Sequence, residues 1–306
     1  MNIDDITLNF SPGSLTLLNA ILAIVMFSIA IDLSPSDFRR LIRAPRSLIT
    51  GLISQFLVLP ILTFALIWIT APRPSIALGL ILVAACPGGN ISNFITHRAG
   101  GNSALSVSMT AFATVGAIFL TPFNIALWGS LYPPTRAILQ STTIDPVQIA
   151  ITVTLMLILP LLLGVQLNHR NPALTARLRK PLQILSFAIF VAFIVLALAA
   201  NWAFFLGYAG MVAGLVILHN SLALGGGYLT ATLAGLPAFD RRAITIETGI
   251  QNSGLGLVLI FAFFNGLGGM AVVAAFWGIW HAISGIILAS LMARTPLQRP
   301  DPEPTP

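Results

Sequence analysis

The sequence predicts an all-α polytopic membrane protein built around two interrupted helices. Three observations carry this. The 306 residues are 57% hydrophobic and only 8% charged, with a mean hydropathy of +0.93, whereas soluble domains carry about 25% charged residues. Apolar stretches long enough to cross a hydrocarbon core of roughly 30 Å recur along the chain. The 15 basic residues fall in short segments between those stretches, so the net charge of +6 reads as a topology signal and not as a nucleic-acid footprint.

Taken in order, nine apolar spans can be drawn, at about 14–33, 47–70, 76–97, 103–128, 147–167, 181–200, 210–234, 243–264 and 270–292. The segment before them, Met1 to Ser11, carries two Asp and no Lys or Arg. It lacks the basic start of a signal peptide and is read as a mature tail. An odd number of spans puts the termini on opposite sides. One side then receives Arg39, Arg40, Arg43, Arg46, Arg98, Arg170, Arg177, Arg179, Lys180, Arg241, Arg242, Arg294 and Arg299, and the other only Arg73 and Arg136. The positive-inside rule places the N-terminus outside and the C-terminus in the cytoplasm, as in a bacterial inner (plasma) membrane. Trp68, Trp128 and Trp202 fall near outer span ends, where interface anchors belong. The Pro-rich stretch 294–306 reads as a disordered cytoplasmic tail, and residues 1–306 as a single membrane domain. The single cysteine, Cys86, excludes a disulfide framework and a cysteine metal cage.

Two spans are broken. The third contains Cys86-Pro87-Gly88-Gly89-Asn90-Ile91-Ser92-Asn93, and a proline followed by two glycines interrupts a helix. The eighth contains Glu247-Thr248-Gly249-Ile250-Gln251-Asn252-Ser253-Gly254. Of the nine acidic residues, Glu247 alone lies well inside an apolar stretch. A charge near the bilayer midplane costs roughly 2.5–3.5 kcal/mol even on lenient scales. It therefore needs a partner, and a bland structural hydrogen bond competes with a functional role. Paired interrupted spans in corresponding halves point to a transporter site. Spans 1–4 are read against spans 5–9 as an inverted pair with one span unmatched.

The breaks define what can bind. Half-helices that restart inside the membrane present free N–H groups and a positive dipole end, which attract an anion. Unwound carbonyls together with Glu247 attract a cation. Further oxygens come from Ser92 and Asn93, from Ser106 and Thr110 four residues apart on one helix face, and from Gln55 just before Pro60. One carboxylate among neutral oxygens suits Na⁺, and a proton could use Glu247 as well. His219-Asn220 and His281 are read first as interhelical hydrogen-bond partners. The function expected is sodium-coupled uptake of an organic anion. A proton-coupled or exporting carrier is the alternative, and an intramembrane enzyme with Glu247 as base lacks an evident nucleophile.

These residues resemble a known family. The two broken-helix motifs, with Gly101-Asn102-Ser103-Ala104-Leu105-Ser106-Val107-Ser108-Met109-Thr110, Leu120-Thr121-Pro122, Leu218-His219-Asn220 and Trp280-His281-Ala282-Ile283-Ser284-Gly285, resemble the bile acid:sodium symporter family. The resemblance runs from about residue 24 to 293. It implies a panel of spans 1, 5 and 6 and a core of spans 2–4 and 7–9, with two discontinuous helices crossing at their unwound centres. Members with ten helices carry one more at the start. The resemblance implies a first Na⁺ site of Ser92, Asn93, Ser106, Thr110 and Glu247. It implies a second of Gln55, Glu247 and Gln251 with the carbonyls of Thr248 and Ile250. The anionic group of the substrate would sit at the crossing, beside Asn90, Ile91, Asn252, Ser253, His281 and Ala282. Asn90 and Ala282 depart from the residues common in relatives, so the substrate implied is a bile-acid-like anion or a smaller carboxylate. The lipid bilayer is the expected surrounding, no nucleic acid is expected as a partner, and a monomer is sufficient.

Overall fold

A chain this apolar must satisfy its backbone within its own segments, and helices do so. The computed structural model describes residues 3–5, 12–31, 45–89, 91–141, 146–200, 202–295 and 297. Among these the regular elements are α1 (Pro12–Ala30), α2 (Pro45–Thr70), α3 (Pro74–Ala85), α4 (Ile91–Arg98), α5 (Ser103–Leu131), α6 (Pro133–Ser141), α7 (Val147–Arg170), α8 (Pro172–Ala200), α9 (Trp202–Leu233), α10 (Ala238–Gly249), α11 (Ser253–Phe263) and α12 (Gly268–Ala293). By length and composition α2, α5, α7, α12 and the Val212–Leu233 part of α9 can cross a membrane, and α3 and α11 are shorter apolar helices. Apart from residues 294, 295 and 297, the expected tail lies outside the described residues, as does Asn90.

Local chemistry sets the ends. Proline, which has no N–H to lose, opens α1, α2, α3, α6 and α8. Asn102 and Asn252 cap α5 and α11 by accepting from the N–H of Leu105 at 3.1 Å and of Leu255 at 3.0 Å. Asn171 does the same for α8 through the N–H of Leu174 at 3.1 Å. That cap lets α8 start in polar sequence, ahead of the apolar stretch at 181 from which hydropathy draws the span. The short α6 lies between the spans expected at 103–128 and 147–167.

Two helices carry a wider turn. α2 is π-helical over Ser54–Val58 and α7 over Thr154–Ile158. Each π turn ends two residues before a proline, Pro60 and Pro160. A proline ring clashes with the carbonyl four residues earlier, here inside the π turn, and the widened turn relieves that clash.

The core is centred on α3, where every residue from Ser75 to Ala85 is buried. α2, α5 and α12 surround it, while α1 packs against α7 and α8. One end of the bundle is basic. There Arg242 donates to the carbonyls of Ala99 at 2.7 Å and Thr295 at 2.5 Å, and Arg46 donates to the carbonyl of Ala234 at 2.6 Å. Asp240 accepts from Ser47 and Asn102 at the same end. The opposite end holds an aromatic group in which Trp68 lies 6.1 Å from Phe64 and 5.4 Å from Tyr132, ring centre to ring centre.

α9 lies directly along α10 because Gly227 has no side chain. A Cβ there would sit 2.9 Å from the carbonyl oxygen of Ile244 and 3.0 Å from Cα of Thr245. Gly225 faces open space. Gly227→Ala is therefore expected to force the two helices apart at an overpacking cost of about 1–3 kcal/mol. Gly225→Ala is expected to be neutral or stabilising, since alanine is the better helix former. Thermal unfolding of both variants in detergent checks this; equal midpoints contradict it.

Candidate ion and solute site at the helix crossing

Pro87 drives the preceding residue out of the helical region, and Cys86 is extended at φ −72°, ψ 155°. The chain stays non-helical to Gly89 and resumes as α4. The second break follows Gly249, where Ile250 is extended at φ −118°, ψ 100°. The two extended segments meet antiparallel. The N–H of Gly89 donates to the carbonyl of Ile250 at 2.7 Å, the N–H of Asn252 donates to the carbonyl of Pro87 at 2.9 Å, and Gly88 pairs with Gln251. Only glycine permits this approach. A Cβ on Gly88 would lie 2.6 Å from Glu247 Oε1, and one on Gly89 2.7 Å from the carbonyl oxygen of Gln251.

Glu247 is fully buried beside this crossing. Ser92 Oγ of α4 and Ser106 Oγ of α5 donate to its Oε2 at 2.5 and 2.9 Å, and Thr110 Oγ1 of α5 donates to its Oε1 at 2.5 Å. Asn93 Oδ1 lies 2.8 Å from Ser106 Oγ and 3.3 Å from Thr110 Oγ1. A hydroxyl has one proton to give. The single proton of Ser106 faces two acceptors, and that of Thr110 faces Asn93, Glu247 and the Ser106 carbonyl. The cluster therefore holds more acceptor oxygens than protons, around one carboxylate. Among the described residues no group of three or more His, Cys, Asp or Glu gathers. Neutral oxygens about a single carboxylate suit a small hard cation of low charge.

A second oxygen group also meets at the crossing. Gln55, within the π turn of α2, donates Nε2 to Gln251 Oε1 at 2.6 Å and to the carbonyl of Cys86 at 3.2 Å. Its own Oε1 is buried without a hydrogen-bond partner. Gln251 Nε2 donates to the carbonyl of Thr248 at 2.7 Å. The carbonyl of Ile250 takes part in the crossing itself. The five residues expected around the first ion thus converge. Of those expected around the second, Gln55, Gln251 and the Thr248 carbonyl are hydrogen-bonded to one another, the Ile250 carbonyl accepts from Gly89, and Glu247 lies against Gly88, which pairs with Gln251.

Of the expected substrate residues, Asn90 lies outside the described residues. Ile91 opens α4 and is half-buried. The Asn252 side chain is engaged in capping α11. Ser253 is buried beside Gly278, where a Cβ would lie 2.8 Å from its Oγ. His281, buried with Nδ1 unpartnered, and the half-buried Ala282 follow Gly278 on α12. His219 is an interhelical partner: its Nε2 lies 2.6 Å from Thr63 Oγ1 and its ring 4.7 Å from that of Trp277. Sequence reasoning missed Ser54, whose hydroxyl lies 2.9 Å from Thr248 Oγ1. The π turn carries Ser54 to Thr248 of α10 and its neighbour Gln55 to Gln251 of the break that follows, and a regular helical pattern gives no hint of that.

The sodium bile acid symporter family profile matches residues 19–207. The chain is 33% identical over 273 residues to a sodium-dependent transporter of Bacillus subtilis, covering 89% of this chain and 82% of that one. It is 33% identical over 278 residues to a probable chloroplastic sodium/metabolite cotransporter of Arabidopsis thaliana, covering 90% of this chain and 66% of the relative. It is 27% identical over 242 residues to the human ileal sodium/bile acid cotransporter, covering 78% of this chain and 67% of the relative. This chain thus spans about two thirds of the length of the plant and human proteins. All three are named as transporters and none as an enzyme. With the profile covering more than half of its residues, the chain belongs to the sodium bile acid symporter family, a family of sodium-dependent transporters.

Proposed function

We propose that the protein is a sodium-coupled symporter that imports a small organic anion by alternating access. The observation that carries the reading is the acceptor-rich oxygen cluster around buried Glu247, tied directly to the crossing of two broken helices. A first Na⁺ among Ser92, Asn93, Ser106, Thr110 and Glu247 supplies the positive charge that the surplus acceptors lack. A second, held by Gln55, Gln251, Glu247 and the carbonyls of Thr248 and Ile250, gives the unpartnered Gln55 Oε1 a ligand. Filling both orders the crossing. The N-terminal ends of α4 and α11, which start there, then turn the positive ends of their helix dipoles toward the solute. In this reading the solute is held by Asn90, Ile91, Asn252, Ser253, His281 and Ala282. The relatives named as bile acid and metabolite cotransporters favour an organic solute, and Asn90 and Ala282 favour a smaller one than a steroid.

In this reading nine spans cross the inner membrane of a bacterium, with the basic end of the bundle in the cytoplasm and the N-terminus outside. α1, α7 and α8 form a panel, and α2–α5 with α9–α12 a core that moves against it. Two Na⁺ entering with a monovalent anion move one net positive charge inward. A potential of about 100 mV then adds roughly 2.3 kcal/mol of drive per cycle.

Two outcomes are expected. Glu247→Gln keeps the shape of the side chain but removes its charge, and in proteoliposomes it abolishes solute uptake driven by a Na⁺ gradient. Retained Na⁺-driven uptake in that variant, or wild-type uptake driven by a pH gradient without Na⁺, contradicts the reading. Secondly, Na⁺ raises the thermal midpoint of the detergent-solubilised protein where equimolar K⁺ does not. The stabilisation approaches about 2.7 kcal/mol at a concentration one hundred times the dissociation constant. Thr110→Val, which deletes a ligand oxygen at nearly constant volume, shrinks that shift; an unchanged shift speaks against the first ion set.

A further inference from the structure

A helix that stops inside a packed core leaves carbonyls without their intrahelical partners, and buried carbonyls must find donors elsewhere. At both breaks the last helical carbonyl finds one in a side chain of a neighbouring helix. The carbonyl of Ala85, the final residue of α3, accepts from Thr121 Oγ1 of α5 at 2.7 Å. The carbonyl of Gly249, the final residue of α10, accepts from Asn220 Nδ2 of α9 at 2.8 Å. Both side chains are fully buried. Asn220 is oriented in turn by Ser284 of α12, whose Oγ donates to Asn220 Oδ1 at 2.6 Å.

Thr121 departs from the habit of its neighbours. Thr63, Thr70, Thr114, Thr230, Thr232 and Thr245 donate to the carbonyl four residues earlier in their own helices. That is the usual resort of a helical threonine. Thr121 donates across to a carbonyl 36 residues away. One residue beyond each of these carbonyls lies backbone that the second oxygen group uses. The Cys86 carbonyl accepts from Gln55, and Ile250 precedes Gln251. The hydroxyls of Ser92, Ser106 and Thr110 serve Glu247 instead.

We infer that Thr121 and Asn220 are positioning residues for the second sodium set. They anchor the two broken-helix ends so that Gln55, Gln251 and the Thr248 and Ile250 carbonyls hold their places, and they do not touch the ion. This rests on the sodium-coupled reading above. Because a lost hydrogen bond to a buried carbonyl acts on one ion's ligands, it raises the Na⁺ concentration for half-maximal uptake and flattens its cooperativity. Uniform weakening of transport is not expected.

The test uses full-length protein in proteoliposomes, with initial uptake measured against Na⁺ concentration and thermal midpoints taken in Na⁺ and in K⁺. Thr121→Val is expected to raise half-saturation by Na⁺ about tenfold, the scale of one buried hydrogen bond. It is also expected to lower the Hill slope toward one, and Thr121→Ser restores both. Asn220→Leu behaves as Thr121→Val does. Ser284→Ala, which only frees the Asn220 amide, gives a smaller shift in the same direction and decides the matter if either larger change fails to fold. Wild-type half-saturation and slope in Thr121→Val and Ser284→Ala, with midpoints lowered equally in both salts, make these residues merely structural and overturn the inference. Wild-type protein whose uptake ignores Na⁺ overturns the symport reading itself, a result the variants cannot produce.

Discussion

A carboxylate buried in an apolar bundle is the constraint on which the rest of this structure turns. Removing Glu247 from water costs several kcal/mol that three hydroxyl donors offset only in part. Those donors come from two different helices, and each is shared with another acceptor or limited to one proton. The described surroundings supply hydroxyl donors to the carboxylate and no charge of their own. Among the described residues no cationic side chain donates to Glu247. In the proposed reading a mobile alkali cation supplies that charge, while a fixed lysine would neutralise the carboxylate permanently and leave nothing to couple.

The broken helices follow from the same demand. Bringing Ser92 and Glu247 together requires that α4 and α10 start and stop at the depth of the crossing. Pro87, Gly88 and Gly89 make that possible on one side, and Gly249 with the extended Ile250 on the other. The exposed backbone is then consumed locally. Gly88 and Gln251 pair, Gly89 and Asn252 donate across, and side chains from α2, α5 and α9 take the remaining carbonyls. Little of this backbone is left without a partner, and in the proposed mechanism that is how ion occupancy governs a motion of whole helices.

Much of this could be read in the chain before any coordinates. Glu247 stood out because it is the only acid well inside an apolar stretch, and Pro87-Gly88-Gly89 because no regular helix tolerates it. Ser106 and Thr110 were legible as one face because four residues is one helical turn. Other features had no local signature. The pairing of Thr121 with Ala85, of Asn220 with Gly249 and of Ser54 with Thr248 joins residues distant in sequence, and only packing decides it. The π turn that turns Gln55 toward Gln251 arises from a clash with Pro60, which hydropathy does not record. The start of α8 at Pro172 was missed because its cap, Asn171, lies in polar sequence outside the apolar window.

The account stands on the oxygens about Glu247 holding Na⁺ in preference to other alkali cations. Equilibrium binding of radiolabelled Na⁺ to the purified protein, in the absence of any solute, tests that most directly. Saturable binding that excess unlabelled Na⁺ displaces and excess K⁺ leaves in place is the predicted result. Binding that never saturates, or that K⁺ displaces as readily as Na⁺, contradicts it.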